Sequence, residues 1–205
     1  SHNTVCVDGI SSYPVMKSNH SFDLLSCFPA SAEPGKAFTS VTYSNLYFRE
    51  PESRADQTRM MSIVTTGAET GYYVDVFRSR KEKGGDKMHD YFYHNLGQTL
   101  TLTAADGSDL NLQPTEELAF AGAHLYAYSY LYDKKVAATN KDVKATFTID
   151  MKDKDGDDIY MNLWMKGEPD REVFTALAPM TEGLSRTPNM PYNIKEQPTL
   201  TFVAR

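Results

Sequence analysis

The chain has 205 residues and a formal net charge of −6, with 27 Asp and Glu against 21 Lys and Arg. That balance argues against a nucleic-acid binder, which needs a basic surface to displace counterions from phosphates; a local basic cluster can still receive a polyanion. The 40% hydrophobic content is enough for a core, and no apolar run approaches the ~20 residues of a membrane-spanning helix.

The chain opens on SHNTVCVDG, where Val5 and Val7 alternate ahead of an Asp8-Gly9 turn, so a strand begins with no polar lead-in. No signal peptide is visible, which excludes nothing for a chain that starts inside a strand. Strand signals follow in SFDLLSCF, AFTSVTY, RMMSIVTT, GYYVDVFRSR and HDYFYHN, while EPESRADQ reads as an exposed loop. QTLTLTAADGSDLNLQ predicts a hairpin, with Leu100 and Leu102 facing Leu110 and Leu112 across Asp106-Gly107. PTEELAFAGAHL has room for a short helix capped by Thr115, with Glu116 and Glu117 in its first turn. HLYAYSYLY reads as another strand.

The cleanest pattern comes next. Val143, Ala145, Phe147, Ile149 and Met151 alternate with polar neighbours, and Ile159, Met161, Leu163 and Met165 repeat the alternation after DKDGDD. Two such runs about an Asp-Gly turn predict a hairpin. REVFTALAP and PTLTFVA add two strands, separated by APMTEGLSRTPNMPYNIKEQP, a Pro-rich exposed loop long enough to carry function. Short strands at regular spacing predict an all-β, antiparallel β-sandwich with short hairpins and at most a short helix, in a single domain over residues 1–205.

Chemistry concentrates in FRSRKEKGGDKMHDYFYHNLGQ. Arg78, Arg80, Lys81, Lys83 and Lys87 surround a Gly-Gly turn and are followed by His89, Asp90, Tyr91, Tyr93 and His94. One reading is a basic, aromatic-lined wall for an acidic sugar chain, with Arg gripping carboxylate or sulfate and Tyr or His moving a proton. The plainer reading, which the residues alone favour, is a hairpin whose tip is solvated by its charges. Strand alternation puts Tyr91 and Tyr93 on the side of His89, and Asp90, Phe92 and His94 on the other, which weakens the case for a metal site shared by the two histidines.

DKDGDD resembles part of a calcium loop without its trailing Glu, and a turn accounts for it. His20 and His124 stand alone and read as structural. Cys6 and Cys27 admit a disulfide, but Cys6 lies in an apolar strand, which favours free thiols. No Gly-x-Ser-x-Gly elbow, phosphate-cradling Gly loop or Cys-x-x-Cys pair is present.

Taken together, SHNTVCVDG, GYYVDVFRSRKEKGGDKMHDYFYHNLG and PTLTFVAR resemble, in that order, the heparinase II/III-like polysaccharide lyases. In those proteins an α/α-toroid precedes a large antiparallel β-sandwich. The resemblance implies that this chain is the sandwich portion, of super-sandwich type, of a larger multi-domain protein whose toroid is missing here; its opening then reads as the middle of a protein. It implies cleavage of uronic-acid polysaccharide by β-elimination: a base removes the C5 proton, the neighbouring carboxylate is neutralised, and the C4–O bond breaks through an enolate that needs electrostatic stabilisation.

In the family, Tyr and His do the proton work, largely from the toroid and from a His-x-His segment early in the sandwich. Neither is in this chain, so no catalytic residue is assigned and the isolated chain is expected to be inactive. The alternative is a non-catalytic carbohydrate-binding or scaffold domain packing on a catalytic toroid. His2 resembles the last ligand of a structural zinc site whose other ligands lie upstream; its plainer reading is a strand-edge histidine. Zinc is therefore implied for the full-length parent and not expected in this chain, because one imidazole cannot close a four-coordinate site. Arg78, Arg80, His89, Tyr91 and His94 are the substrate-side candidates. The implied partners are an acidic polysaccharide and the missing toroid, and the implied location is periplasmic or secreted.

Overall fold

Alternating burial along the chain builds thirteen strands among the described residues of the computed structural model, which are 3–9, 22–29, 41–50, 53–84, 88–119, 126–151, 156–180 and 197–205. They fall into two compact units, one of Ser1–Ser11 with Met88–Arg205 and one of Ser12–Lys87. No helix among these residues is long and apolar enough to cross a membrane.

The first unit contains β1 (Thr4–Val7), β6 (His89–Asn95), β7 (Thr99–Ala104), β8 (Gln113–Pro114), β9 (Tyr132–Thr139), β10 (Val143–Ile149), β11 (Ile159–Met165), β12 (Arg171–Ala178) and β13 (Thr199–Ala204). Six of these form a sheet in the order β1-β6-β13-β12-β9-β8, and three form a second in the order β11-β10-β7. All the pairings are antiparallel.

The predicted alternation of β10 holds: Val143, Ala145 and Phe147 are buried while Lys144 is exposed. Together with Leu102 they pack on Ala137, Val173, Leu200, Phe202 and Ala204 of the larger sheet, making a sandwich core. The predicted β10–β11 hairpin is present with Phe147 opposite Met161, although Ile159 at its turn end is exposed.

The far face of the larger sheet is covered as well. Phe92, Phe174, Ala176, Ala178 and Val203 pack with Leu118, Tyr128 and Leu131 from the segment between β8 and β9. Strand β13, central and covered on both faces, is buried at every position. Gly97, between β6 and β7, has φ +143°, and a Cβ there would lie 2.5 Å from the Thr148 carbonyl oxygen, so this connection requires glycine.

Four sequence expectations are corrected. The Asp106-Gly107 turn forms, with Gly107 N donating to the Ala104 carbonyl at 2.9 Å and Ala104 N donating to the Ser108 carbonyl at 3.0 Å, but beyond that turn no strand returns to pair with β7 among the described residues. Asn111 takes a left-handed φ of 54°, which breaks an extended return strand, and β7 pairs instead with the longer β10, Leu102 opposite Ala145. Leu110 and Leu112 still reach the core, from a loop. The Asp106 carboxyl is held down to about 2 by the Ser108 hydroxyl first and the Ser108 amide second.

From Tyr126 to Leu131, the described part of HLYAYSYLY before Tyr132, there is no strand. Tyr126–Ser129 form the short helix α1, and the strand starts at Tyr132 and runs through Asp133, Lys134 and Lys135, whose polarity hid it. The helix expected from Thr115 does not form over 115–119, where Thr115 Oγ1 accepts from Glu117 N at 3.1 Å in a local turn and Leu118 has φ 53°. EPESRADQ is largely not an exposed loop: Glu50, Ser53, Ala55 and Gln57 are buried, and the Glu50 carboxylate accepts from the amide and hydroxyl of Ser53. The long Pro-rich loop lies mainly outside the described residues.

The second unit is an antiparallel meander of β2 (Asp23–Phe28), β3 (Val41–Glu50), β4 (Ala55–Thr65) and β5 (Gly71–Lys81). Register runs unbroken from Glu50 opposite Ala55 to Val41 opposite Val64, and from Ala55 opposite Lys81 to Thr65 opposite Gly71. Neither Cys27 on β2 nor Cys6 on β1 forms a disulfide.

Candidate functional site

Strand β6 carries three of the predicted site residues, and its faces divide as the alternation requires. Tyr91 and Tyr93 turn into the sandwich core, Tyr93 at 5.7 Å from the Phe147 ring. Their rings therefore pack the two sheets together. On the opposite face His94 stacks at 5.9 Å on Phe92, and its Nδ1 lies 2.8 Å from Thr201 Oγ1 of β13. The His94 backbone amide donates to Asn3 Oδ1 at 2.7 Å, so the side chain after His2 ties the start of the described chain to β6. His89 is half-buried, and its Nδ1 is buried with no hydrogen-bond partner among the described residues.

The same outer face holds a group that the sequence reading missed. Asp90 is 0% exposed. Its carboxylate accepts from Tyr128 Oη at 2.6 Å and from Arg205 Nε at 2.7 Å and Nη2 at 3.2 Å. Arg205 continues outward to Glu117 at 3.0 Å and Glu172 at 3.7 Å, and its guanidinium lies 5.3 Å from the centre of the Phe174 ring. Burial pulls the Arg205 pKa down, but the Asp90 hydrogen bond and charge outweigh it, and the net shift is upward. Burial first, then the Asp90 charge, pushes the Tyr128 phenol far above its ordinary value of 10.0.

This cluster keeps its protons in place: Tyr128 acts as a fixed donor. The only sequence signal was an Asp within an aromatic-rich strand.

A pH dependence follows from Tyr128. Its pKa is raised in the folded state, so its contribution to stability is complete below pH 10.0 and is lost as pH rises above that value. In denaturant melts between pH 8 and pH 11 (roughly the span bracketing a phenol), wild type should lose more stability than Tyr128→Phe. Parallel curves would contradict this.

Arg78 and Arg80 lie in the other unit, on edge strand β5. Spaced by two, they project from one face, and both are exposed. Arg80 stands opposite Asp56 of β4, which stands opposite Arg49 of β3; in the next row come Arg78, Thr58 and Tyr47. Tyr47 Oη donates to Asp56 Oδ1 at 2.6 Å, and Arg49 Nη1 is 3.9 Å from the same oxygen. The Asp56 hydrogen bond, followed by burial, raises the Tyr47 pKa. Two rows further on, Phe28 and Tyr43 stack at 6.4 Å with rings 18° apart. Arg49, Tyr47 and Asp56 were not picked out from the sequence, since only cross-strand register brings them beside Arg80.

His2, His20 and His124 lie outside the described residues, as do residues 152–155 of DKDGDD. Among the described residues no group of three or more His, Cys, Asp or Glu could hold a metal.

No protein-family model matches the chain. It is similar to an endo-acting ulvan lyase of Formosa agariphila, 32% identical over 143 residues that make up 68% of this chain and 17% of that protein. The chain thus spans about a sixth of the length of the curated relative it matches, and it is related to a polysaccharide lyase.

Proposed function

We propose that this chain is the β-sandwich part of a heparinase II/III-like polysaccharide lyase that cleaves uronic-acid polysaccharide by β-elimination. In this reading the sandwich holds the acidic chain, and the base and acid come from a toroid and a His-x-His segment elsewhere in the parent. The observation that carries the reading is the 32% identity to an endo-acting ulvan lyase over 143 residues. The exposed Arg78 and Arg80 add a cationic feature suited to a polyanion.

The proposal takes residues 1–205 as one domain of that parent and places it in the periplasm or outside the cell. Zinc belongs to the full-length protein, with His2 as one ligand and the rest from upstream; no chemical step is assigned to it. The alternative role is a non-catalytic binding or scaffold domain.

The purified chain should be incubated with ulvan, alginate, chondroitin sulfate and heparin, with the ultraviolet absorbance of unsaturated uronate followed, and then run through gels containing each polymer. Retardation without product is expected. Robust product formation by the chain alone would refute the division of labour. No retardation in any gel would refute the holding role and leave the scaffold reading.

A further inference from the structure

The four-stranded sheet contains arginines in two contrasting states. Arg59, on one face, is fully engaged: Nε and Nη2 donate to the two oxygens of Asp75 at 2.9 and 2.7 Å, and its guanidinium lies 5.1 Å from the centre of the Phe77 ring. On the opposite face Arg78 and Arg80 are exposed, and among the described residues neither has a hydrogen-bond or ion-pair partner. Arg49 is 59% exposed, with only a long 3.9 Å approach to Asp56. Three guanidiniums thus gather in two adjacent rows around one carboxylate, which is already bonded to Tyr47 Oη. Asp23 lies opposite Tyr47 on β2, three strand spacings from Arg78, or about 14 Å. The β5 edge therefore carries uncompensated positive charge, in a protein whose net charge is −6.

The same face supplies an apolar platform. Phe28 and Tyr43 stack there, and Phe28 is 46% exposed. Tyr43 precedes Tyr47 by four residues and Arg49 by six on β3, so along the strand the platform is about 13 Å from the Arg78 row and about 20 Å from the row of Arg49 and Arg80. Planar guanidiniums grip sulfate or carboxylate through paired N–H donors, while an exposed aromatic pair suits the C–H face of a sugar ring.

We propose that this face of the β2–β5 sheet is a subsite for an acidic polysaccharide. Arg49, Arg78 and Arg80 receive its sulfate or carboxylate groups, Tyr47–Asp56 fixes the floor between them, and Phe28–Tyr43 stacks a neighbouring sugar. Asp56 competes with the ligand's anion for Arg49 and Arg80. The inference rests on the polysaccharide-holding reading and gives it specific residues.

Isothermal titration of the full chain with a sulfated polyuronate, its desulfated form and a neutral glucan tests it, with circular dichroism verifying each variant's fold. Wild type should bind both acidic polymers and not the glucan. Arg78→Ala/Arg80→Ala should weaken binding about tenfold or more, and Arg49→Ala several-fold. Lys144→Ala, an exposed charge on the three-stranded sheet, should leave binding within about twofold. Asp56→Asn should tighten binding several-fold, a gain that misfolding cannot imitate.

Binding that ignores the arginine changes, or that Lys144→Ala weakens equally, overturns the subsite and leaves the holding reading standing. An unchanged or weaker complex with Asp56→Asn overturns the role given to Asp56. No binding by wild type to either acidic polymer overturns the holding reading and the subsite together.

Discussion

Replacing Arg205 with alanine is expected to destabilise the chain by about 3–5 kcal/mol, read as a fall in the urea midpoint at unchanged slope. Asp90 is 0% exposed, so removing its cation leaves a carboxylate in the interior with Tyr128 as its remaining side-chain donor among the described residues. The opposite change should cost less. In Asp90→Ala the Arg205 side chain, 17% exposed, keeps Glu117 and Glu172 within reach. Removing both partners should restore part of the Arg205→Ala loss, because the buried charge has gone. A double variant whose loss equals the sum of the two single losses would show that the two groups are not coupled.

Phe202→Ala should be of similar size, about 3–5 kcal/mol, from the lost transfer energy and the cavity left behind. Phe202 is 0% exposed on β13, between Tyr93 of β6 and Thr175 of β12, and it faces Val143, Ala145 and Phe147 across the sandwich. A central strand covered on both faces has little room to collapse. Phe28→Ala, at an exposed position, should change stability by no more than about 0.5 kcal/mol and serves as the comparison. Thermal melts giving equal shifts for the two variants would contradict the packing described for β13.

The difference between these two phenylalanines shows how much could be read without a structure. Where one face is buried and the other solvated, period-2 alternation survives in the residues, and β10 and β11 were found with their faces correctly divided. The signal fails where burial is not one-sided. Polar Asp133, Lys134 and Lys135 concealed β9, whereas the alternating tyrosines of 126–132 imitated a strand across the short helix α1. The Leu100–Leu112 hairpin looked sound locally, but β7 found a longer partner in β10, and local turn chemistry cannot weigh a distant strand.

Among the candidate site residues, Arg78 and Arg80 were legible because exposed cations on an aromatic-rich strand need no partner to be noticed. Their setting was not legible. Asp56 and Arg49 become neighbours of Arg80 only through the registers β3–β4 and β4–β5, and a one-residue slip would turn each to the other face. Likewise Asp90, Tyr128 and Arg205 are separated by 38 and 115 positions from Asp90 and meet only because β6, β13 and the covering segment share one face.

By itself, the sequence determined the all-β class, most strand positions, the two faces of β6 and the basic edge at Arg78 and Arg80. These rest on side-chain periodicity and charge, which are local. Only the tertiary structure decided which strands pair, which tyrosine supports Asp90 and which carboxylate lies among the arginines. Those depend on contacts between distant segments, whose stability comes from shared burial that no single stretch of sequence contains.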